Sequence, residues 1–274
     1  MGPGLRIRRL VGVAMAMLAL PVTGALAQSP APKDAWPELA SNIFSGQALA
    51  DGAGLLMLEM PGRAEDAAIV PLTLRTMLPS TDTRRVRSLT IVIDENPAPV
   101  AATFHLGLRA VVPVISTRVR VNSYTNVHAV ADLSDGKLYV VKTYVKASGG
   151  CSAPAVKADK ANIGEMRFRQ FATSAEETSN TRTVQLMIRH PNNSGLQMDQ
   201  ITHLYIPSFF VDSLKVFEGD ELLFAMEGGI SIAEDPNIRF TYVPDGSSSL
   251  RAEAVDTAGH VFSGSWPALG VEAE

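Results

Sequence analysis

The chain contains 274 residues, with 24 Lys and Arg, 28 Asp and Glu, five His and a single Cys. A net charge of −4 argues against a nucleic-acid-binding protein, which would present a basic surface. One cysteine excludes an intrachain disulfide, a CxxC redox pair and a zinc site built from several thiolates. The length favours two domains, because a typical domain has about 150 residues.

The first 27 residues have the pattern of a secretory signal peptide. Arginines within the first nine positions precede an apolar run from Leu10 to Leu20, and Ala25-Leu26-Ala27 places small residues before a cleavage point. A membrane span is the competing interpretation, but proline and glycine interrupt the uncharged run, which is short for a bilayer. We predict cleavage after Ala27, export to a bacterial periplasm and no membrane anchor after cleavage.

The first element of the exported chain is predicted to be a helix from Trp36 to Ala53, because Pro37 suits a first helical turn. Beyond it, apolar and polar residues alternate over residues 88–93, 139–146 and 184–189, which predicts half-buried antiparallel strands. Turn sequences rich in Gly, Asn, Asp and Pro separate such segments. Evenly spaced short strands are typical of β-sandwiches and small barrels.

The strand pattern stops at Ala147 and resumes near Arg182. Between these points lie a Gly- and Ser-rich segment, a predicted short amphipathic helix from Lys157 to Phe171, and a polar stretch with the composition of a linker. The predicted boundaries are a signal peptide over 1–27, a first β domain over 36–152, a linker with a short helix over 153–181, and a second β domain over 182–270.

Common catalytic motifs are absent from the sequence. It contains no GxSxG, P-loop, GxGxxG or HExxH pattern, so the usual hydrolase, nucleotide-binding and zinc-protease signatures are missing. The histidines are scattered and none is spaced as a metal ligand, at His105, His128, His190, His203 and His260. We therefore predict a protein that is not an enzyme, with no catalytic residues, no metal and no cofactor.

The lone cysteine, Cys151, follows Gly149 and Gly150 at the end of the first β domain. Glycine lets the backbone adopt positive φ angles, so we expect an exposed thiol on a flexible arm. The nearest basic residue in sequence is Lys146, so a strongly lowered thiol pKa is not indicated. The position favours a reactive or carrier thiol, with an incidental surface or buried cysteine as the alternative.

Two ordered sets of short motifs resemble a known pair of protein families. The first half resembles SoxY, the sulfur-substrate carrier of periplasmic thiosulfate oxidation, in the segments Ile69-Val70-Pro71-Leu72-Thr73-Leu74, Glu95-Asn96-Pro97-Ala98-Pro99-Val100, Ser116-Thr117-Arg118-Val119-Arg120-Val121, Asp135-Gly136-Lys137 and Gly149-Gly150-Cys151. The second half resembles SoxZ, its partner, in Ile188-Arg189-His190-Pro191, Ser194-Gly195-Leu196, Ile206-Pro207-Ser208-Phe209-Phe210, Ile230-Ser231 and Asp235-Pro236.

The ordered set is similar to the fused SoxYZ-like carriers that are associated with quinoprotein dehydrogenases. The resemblance implies an all-β protein of two Ig-like antiparallel β-sandwiches, with a short N-terminal helix and an inter-domain linker. It implies that Cys151 holds a sulfur-containing or other thiol-linked intermediate, with Gly149 and Gly150 as the carrier arm. The implied partners are periplasmic redox or sulfur-processing enzymes, including a quinoprotein dehydrogenase, and no nucleic acid.

The arm departs from the SoxY pattern after the cysteine. In SoxY the Gly-Gly-Cys-Gly-Gly arm ends the chain, whereas here Ser152 and Ala153 replace the trailing glycines and the chain continues. The arm is therefore expected to be a loop anchored at both ends, with less reach. The alternative function is a non-covalent binding or assembly module for a periplasmic quinoprotein dehydrogenase, with Cys151 incidental.

Overall fold

The computed structural model describes residues 1–2, 34–79, 81–108, 110–154, 160–171, 181–247 and 249–268. The predicted signal peptide lies almost entirely outside the described residues, as do residues 155–159 and 172–180 of the predicted linker. The chain divides into a short N-terminal unit, residues 1–34, and a compact unit over residues 35–274. Within the described part of the chain, no helix is long and apolar enough to cross a membrane.

The compact unit is built almost entirely from β-strands. Its elements are α1 (Trp36–Ile43), β1 (Leu49–Asp51), β2 (Leu56–Glu59), β3 (Val70–Thr76), β4 (Val86–Ile93), β5 (Val100–Leu106), β6 (Val114–Val119), β7 (Thr125–Leu133), β8 (Leu138–Val145), a 3-10 turn (Lys160–Asn162), β9 (Met166–Phe171), β10 (Arg182–Ile188), β11 (Val211–Glu218), β12 (Glu221–Gly228), β13 (Asn237–Tyr242), β14 (Ser249–Asp256) and β15 (Val261–Pro267). The predicted all-β class with a short N-terminal helix is confirmed.

Two sheets run through both halves of the chain. The larger has the order β1-β8-β7-β4-β5-β12-β11-β14-β15, and the smaller has the order β2-β3-β6-β13-β10-β9. Strands up to β8 form one sandwich and strands from β9 form the second. The two sandwiches join edge to edge, because β5 pairs with β12 and β6 pairs with β13, both antiparallel.

The burial pattern follows from what covers each strand face. In β10 the alternation is as predicted, with Val184, Leu186 and Ile188 buried in the core. In β4 the prediction of a half-buried strand is wrong, because Thr90 and Val92 are buried as well. On the outer face of this sheet, Trp36 of α1 stacks on His128 of β7. His128 is paired with Val92 of β4, so this part of β4 is covered on both faces.

The N-terminal helix is shorter than predicted. It has proline in its first turn, as expected, but it ends at Ile43 and is followed by positive φ angles at Ser45 and Gly46. Leu49–Asp51 then forms β1, which pairs in parallel with β8. The helical pattern up to Ala53 was misleading because pairing with β8, almost ninety residues away, satisfies this backbone.

Over the described part of the helix predicted from Lys157 to Phe171, only the 3-10 turn at Lys160–Asn162 is helical, and the prediction is wrong for the rest. Met166–Phe171 forms β9, which pairs antiparallel with β10 in the register Met166↔Ile188. Met166, Phe168 and Gln170 alternate along the strand, and the Phe168 ring stacks on Trp266 at 4.9 Å. The segment has both a helical spacing and a period of two. It forms a strand because pairing with β10 adds it to the edge of the smaller sheet.

Candidate functional site around Cys151

The glycine arm is docked against the first sandwich by backbone contacts. Gly149 has a φ of +78°, and its N–H donates to the carbonyl of Asn122 at 2.8 Å. The Gly150 N–H donates to the carbonyl of Val121 at 3.1 Å. A Cβ at Gly150 would lie 2.0 Å from the Ala67 carbonyl oxygen, so only glycine fits this approach.

The thiol is buried, which corrects the expectation of an exposed thiol on a flexible arm. Cys151 has 0% exposure and forms no disulfide. In addition to the glycine contacts, two side chains that follow β10 form hydrogen bonds with the backbone of Cys151 and Ala153. Ser194 Oγ donates to the Cys151 carbonyl, and Gln197 Nε2 donates to the Ala153 carbonyl at 3.1 Å. Local composition predicted mobility, but these distant partners fix the loop.

We call residues 193–206 the latch loop, because they cover the arm. An isolated bridge between Asn193 and Phe209 closes the base of the loop, which folds back on itself at a second bridge between Met198 and Tyr205. Apolar side chains project from it into solvent at Leu196, Met198, Ile201, Leu204 and Tyr205. The latch loop therefore contacts the arm through polar side chains and presents apolar side chains to solvent.

A buried arginine acts electrostatically on the thiol. Arg120 follows β6, is 1% exposed, and donates from Nη2 to the Asn192 carbonyl at 3.0 Å. Burial raises the pKa of Cys151, and the nearby positive charge of Arg120 offsets part of that rise. Burial also lowers the pKa of Arg120, although a guanidinium stays charged at neutral pH. The docked thiol is consequently protonated and unreactive at neutral pH.

Both sandwiches contribute to the support of Arg120. Its backbone N–H donates to the Ser231 carbonyl at 2.7 Å, and its carbonyl accepts from Asn96 Nδ2 at 2.8 Å. Asn96 Nδ2 also contacts Ser231 Oγ at 2.8 Å, while Asn96 Oδ1 accepts from the Asn122 N–H at 2.8 Å. The Asn-Pro turn and the Ser-Thr-Arg-Val-Arg segment of the sequence thus meet around the arm.

Buried histidine–carboxylate pairs are the main feature that sequence spacing missed. His128 Nδ1 lies 2.9 Å from Asp94 Oδ1, beneath the stacked Trp36 ring at 3.6 Å between centroids. His190 Nδ1 accepts from the Asn192 N–H at 3.1 Å, and its Nε2 lies 3.6 Å from Asp256. Each histidine lies more than thirty residues from its carboxylate partner, so only the pairing of strands could have located these pairs.

His190 connects to the arginine site through Asn192. Burial lowers the pKa of His190, so the ring is neutral at neutral pH and carries its proton on Nε2. Its role is to orient the backbone of Asn192, whose carbonyl receives the Arg120 guanidinium. Among the described residues, no group of three or more His, Cys, Asp or Glu side chains is arranged to hold a metal ion.

These features define a class: two β-sandwiches joined edge to edge, with one cysteine on a glycine arm held between them. Comparison with protein families matches residues 40–151 to "Sulfur oxidation protein SoxY" and residues 169–267 to "Sulphur oxidation protein SoxZ". The chain therefore belongs to the fused SoxYZ-like proteins. SoxY and SoxZ are sulfur-oxidation carrier proteins rather than enzymes, they work with sulfur-processing enzymes, and Sox proteins are typically periplasmic.

Solved structures similar to this chain include the sulfur carrier protein SoxY from Chlorobium limicola f thiosulfatophilum. It has 23% identity and a TM-score of 0.34, covering 41% of this chain and 91% of that chain. A superoxide reductase (neelaredoxin) from Ignicoccus hospitalis has 9% identity and a TM-score of 0.30, covering 33% of this chain and 78% of that chain. No curated protein matches the chain at a significant level.

Proposed function

We propose that this protein is a periplasmic carrier that holds a sulfur intermediate covalently on Cys151 and presents it to partner enzymes. The observation that carries the proposal is the position of the thiol. Cys151 is the last residue of the SoxY match, it follows the Gly149-Gly150 arm, and contacts from both sandwiches surround it. The close approach of Gly150 to the Ala67 carbonyl fixes the position of the arm, and with it the position of the thiol.

Sulfur transfer onto the arm is proposed to start from the undocked thiolate. The Cys151 thiolate attacks the outer sulfur of a donor persulfide, R–S–S–H. A new sulfur–sulfur bond forms at Cys151, the donor's sulfur–sulfur bond breaks, and its inner sulfur leaves as the thiolate R–S⁻. The product is a persulfide on Cys151, and the exchange consumes no external oxidant or reductant. Transfer to an acceptor enzyme repeats the same exchange in the other direction.

Burial of the thiol fits a carrier that protects its cargo between partners. Docking keeps solvent and small oxidants away from the sulfur, and delivery requires the arm to leave its contacts. Two of those contacts are side-chain hydrogen bonds from the latch loop, which contribute about 0.5–1.5 kcal/mol each. A partner that binds beside the loop and breaks these two bonds would weaken the docking, leaving the backbone bonds of Gly149 and Gly150 to be released.

The second candidate function is a non-covalent assembly module for a periplasmic quinoprotein dehydrogenase. The fully buried, protonated state of Cys151 favours it, since this docked thiol cannot react. Under this function the apolar outer side of the latch loop would contact the dehydrogenase and the cysteine would have no chemical role. The two functions differ in whether the sulfur of Cys151 is ever modified.

Intact mass spectrometry of the protein from its native periplasm separates them. We expect a chain that begins at Gln28, after signal cleavage, and that carries added sulfur on Cys151 which a reductant removes. A Cys151→Ser variant should carry no added mass and should fail to support growth that depends on the protein. A native protein with an unmodified thiol, together with a fully active serine variant, would contradict the carrier and support the assembly module.

A further inference from the structure

Arg120 is a buried charge that forms no ion pair with any residue in the described part of the chain. It is 1% exposed, and among the described residues no carboxylate lies within 4 Å of its guanidinium. Its Nη2 has one backbone partner, the carbonyl of Asn192, while its buried Nε has no hydrogen-bond partner. An unpaired buried charge costs several kcal/mol, which an anion bound at the guanidinium would offset.

The geometry brings this guanidinium to the carrier arm. Arg120 is adjacent to Val121, whose carbonyl accepts the Gly150 N–H. Its side chain donates to the carbonyl of Asn192. Two residues further on, Ser194 donates to the carbonyl of Cys151. The charge of Arg120 also acts on the Cys151 thiol, whose pKa it lowers against the effect of burial. The acidic groups that also act on Arg120 are the half-buried Glu234 and the exposed Asp66, neither of which forms an ion pair with it.

We propose that Arg120 binds the anionic end of a sulfur group carried on Cys151, an inference that rests on the proposed carrier function. The chemical class is a persulfide, thiosulfonate or sulfonate, all of which place a negative charge beyond the cysteine sulfur. The unloaded thiol is neutral and leaves the guanidinium uncompensated. The loaded arm completes a charge-assisted hydrogen bond, which is stronger than a neutral one. The docked state is consequently more stable when loaded.

Two reagents test this proposal on the full chain, one of which adds an anionic group to Cys151 and the other a neutral group. Tetrathionate converts the Cys151 thiolate to a thiosulfonate, Cys–S–S–SO₃⁻, and releases thiosulfate. Methyl methanethiosulfonate converts it to a neutral methyl disulfide, Cys–S–S–CH₃, and releases methanesulfinate. Both are applied in sub-denaturing urea, which opens the arm, and loading is confirmed by intact mass after return to buffer. The readout is the Tm of each adduct.

In the wild type we expect the thiosulfonate adduct to melt at least about 3 °C above the methyl disulfide adduct. Arg120→Met should abolish or reverse that difference, whereas Arg118→Met, which removes a guanidinium two residues earlier, should preserve it. Comparing the two adducts within each variant cancels the effect of adduct size. If Arg120→Met does not fold, Arg120→Lys should keep the sign of the difference.

A wild-type thiosulfonate adduct no more stable than the neutral adduct would overturn the proposal, as would an unchanged difference in Arg120→Met. That failure is separable from failure of the carrier function. Native protein that carries reducible sulfur on Cys151 without the charge-dependent Tm would retain the carrier and remove only the role of Arg120. Native protein without any modification would remove the carrier itself.

Discussion

Glu218 is a buried carboxyl at the end of β11, 2% exposed. Burial raises its pKa from 4.5 to about 7, although Oε2 accepts the Asp245 N–H at 2.9 Å. Between pH 4.5 and 7 the folded protein therefore holds a proton that the unfolded chain has lost, and stability falls as pH rises. The contribution is on the order of 3 kcal/mol at most.

We predict that Glu218→Gln raises the Tm at pH 8 and has little effect at pH 5, because glutamine keeps the acceptor without the charge. Thermal unfolding of both proteins at the two pH values measures this. The lowered pKa of His190 acts in the opposite direction, with stability lost as pH falls below 6.5, but it is common to both proteins. Glu95→Gln, at an exposed position, is the control. Equal Tm changes at both pH values would contradict the prediction.

At this scale the sequence singled out Cys151 and its glycine arm as the candidate site but did not predict their environment. Cys151 stood out as the lone thiol beside Gly149 and Gly150, and family motifs reinforced it. Its burial depends on Ala67 and Ser194, each more than forty residues away. Composition near the cysteine therefore predicted flexibility, whereas packing against distant residues determined the outcome.

Under the proposed carrier function, the latch loop is the element that controls whether the thiol reacts. Its two hydrogen bonds to the arm come from Ser194 Oγ and Gln197 Nε2. Losing one such bond, at about 1 kcal/mol, raises the population of the undocked arm about fivefold. We predict that Ser194→Ala and Gln197→Ala each accelerate alkylation of Cys151 about fivefold, measured by mass spectrometry under native conditions.

The matched control is Thr202→Ala in the same loop. Thr202 Oγ1 donates to Asp199 Oδ1 at 3.0 Å, within the loop. Its loss should leave the alkylation rate of Cys151 unchanged. If Thr202→Ala accelerates labelling as much as Ser194→Ala does, general loosening of the loop rather than release of the arm is responsible, and the latch is refuted.

Among elements, strongly alternating segments were predicted well and ambiguous ones were not. Residues 184–189 were identified as a strand because one face is buried and the other is polar. Residues 157–171 were assigned to a helix because apolar residues at three- and four-residue spacing coexist with alternation. Whether this segment forms a helix or a strand depends on the edge of β10, with which β9 pairs. The local sequence pattern contains no information about that edge.

At the scale of the whole molecule, the sandwiches are joined by backbone pairing and by an aromatic cluster. Phe104 on β5 contacts Phe224 on β12 edge-on at 5.9 Å, and Phe224 contacts Phe240 on β13 at 5.0 Å. All three rings are fully buried. The family resemblance predicted two sandwiches, but alternation cannot specify strand partners, so the sequence did not indicate that both sheets continue across the join.

The shared sheets predict that the two halves unfold together. Separating them would expose the edges of β5 and β6 on one side and of β12 and β13 on the other, together with the aromatic cluster. Calorimetry of the full chain should therefore give a single transition, and Phe224→Ala should lower its Tm as a whole, with a cost of about 3–5 kcal/mol. Fragments 28–154 and 160–268 expressed alone should aggregate or melt earlier, and should associate when expressed together.

Two separate transitions in the full chain, with only the second moved by Phe224→Ala, would mean that the halves are independent domains. Because Arg120 and Ser194 come from different halves, the site around Cys151 would then lose the rigid support that docking of the arm requires.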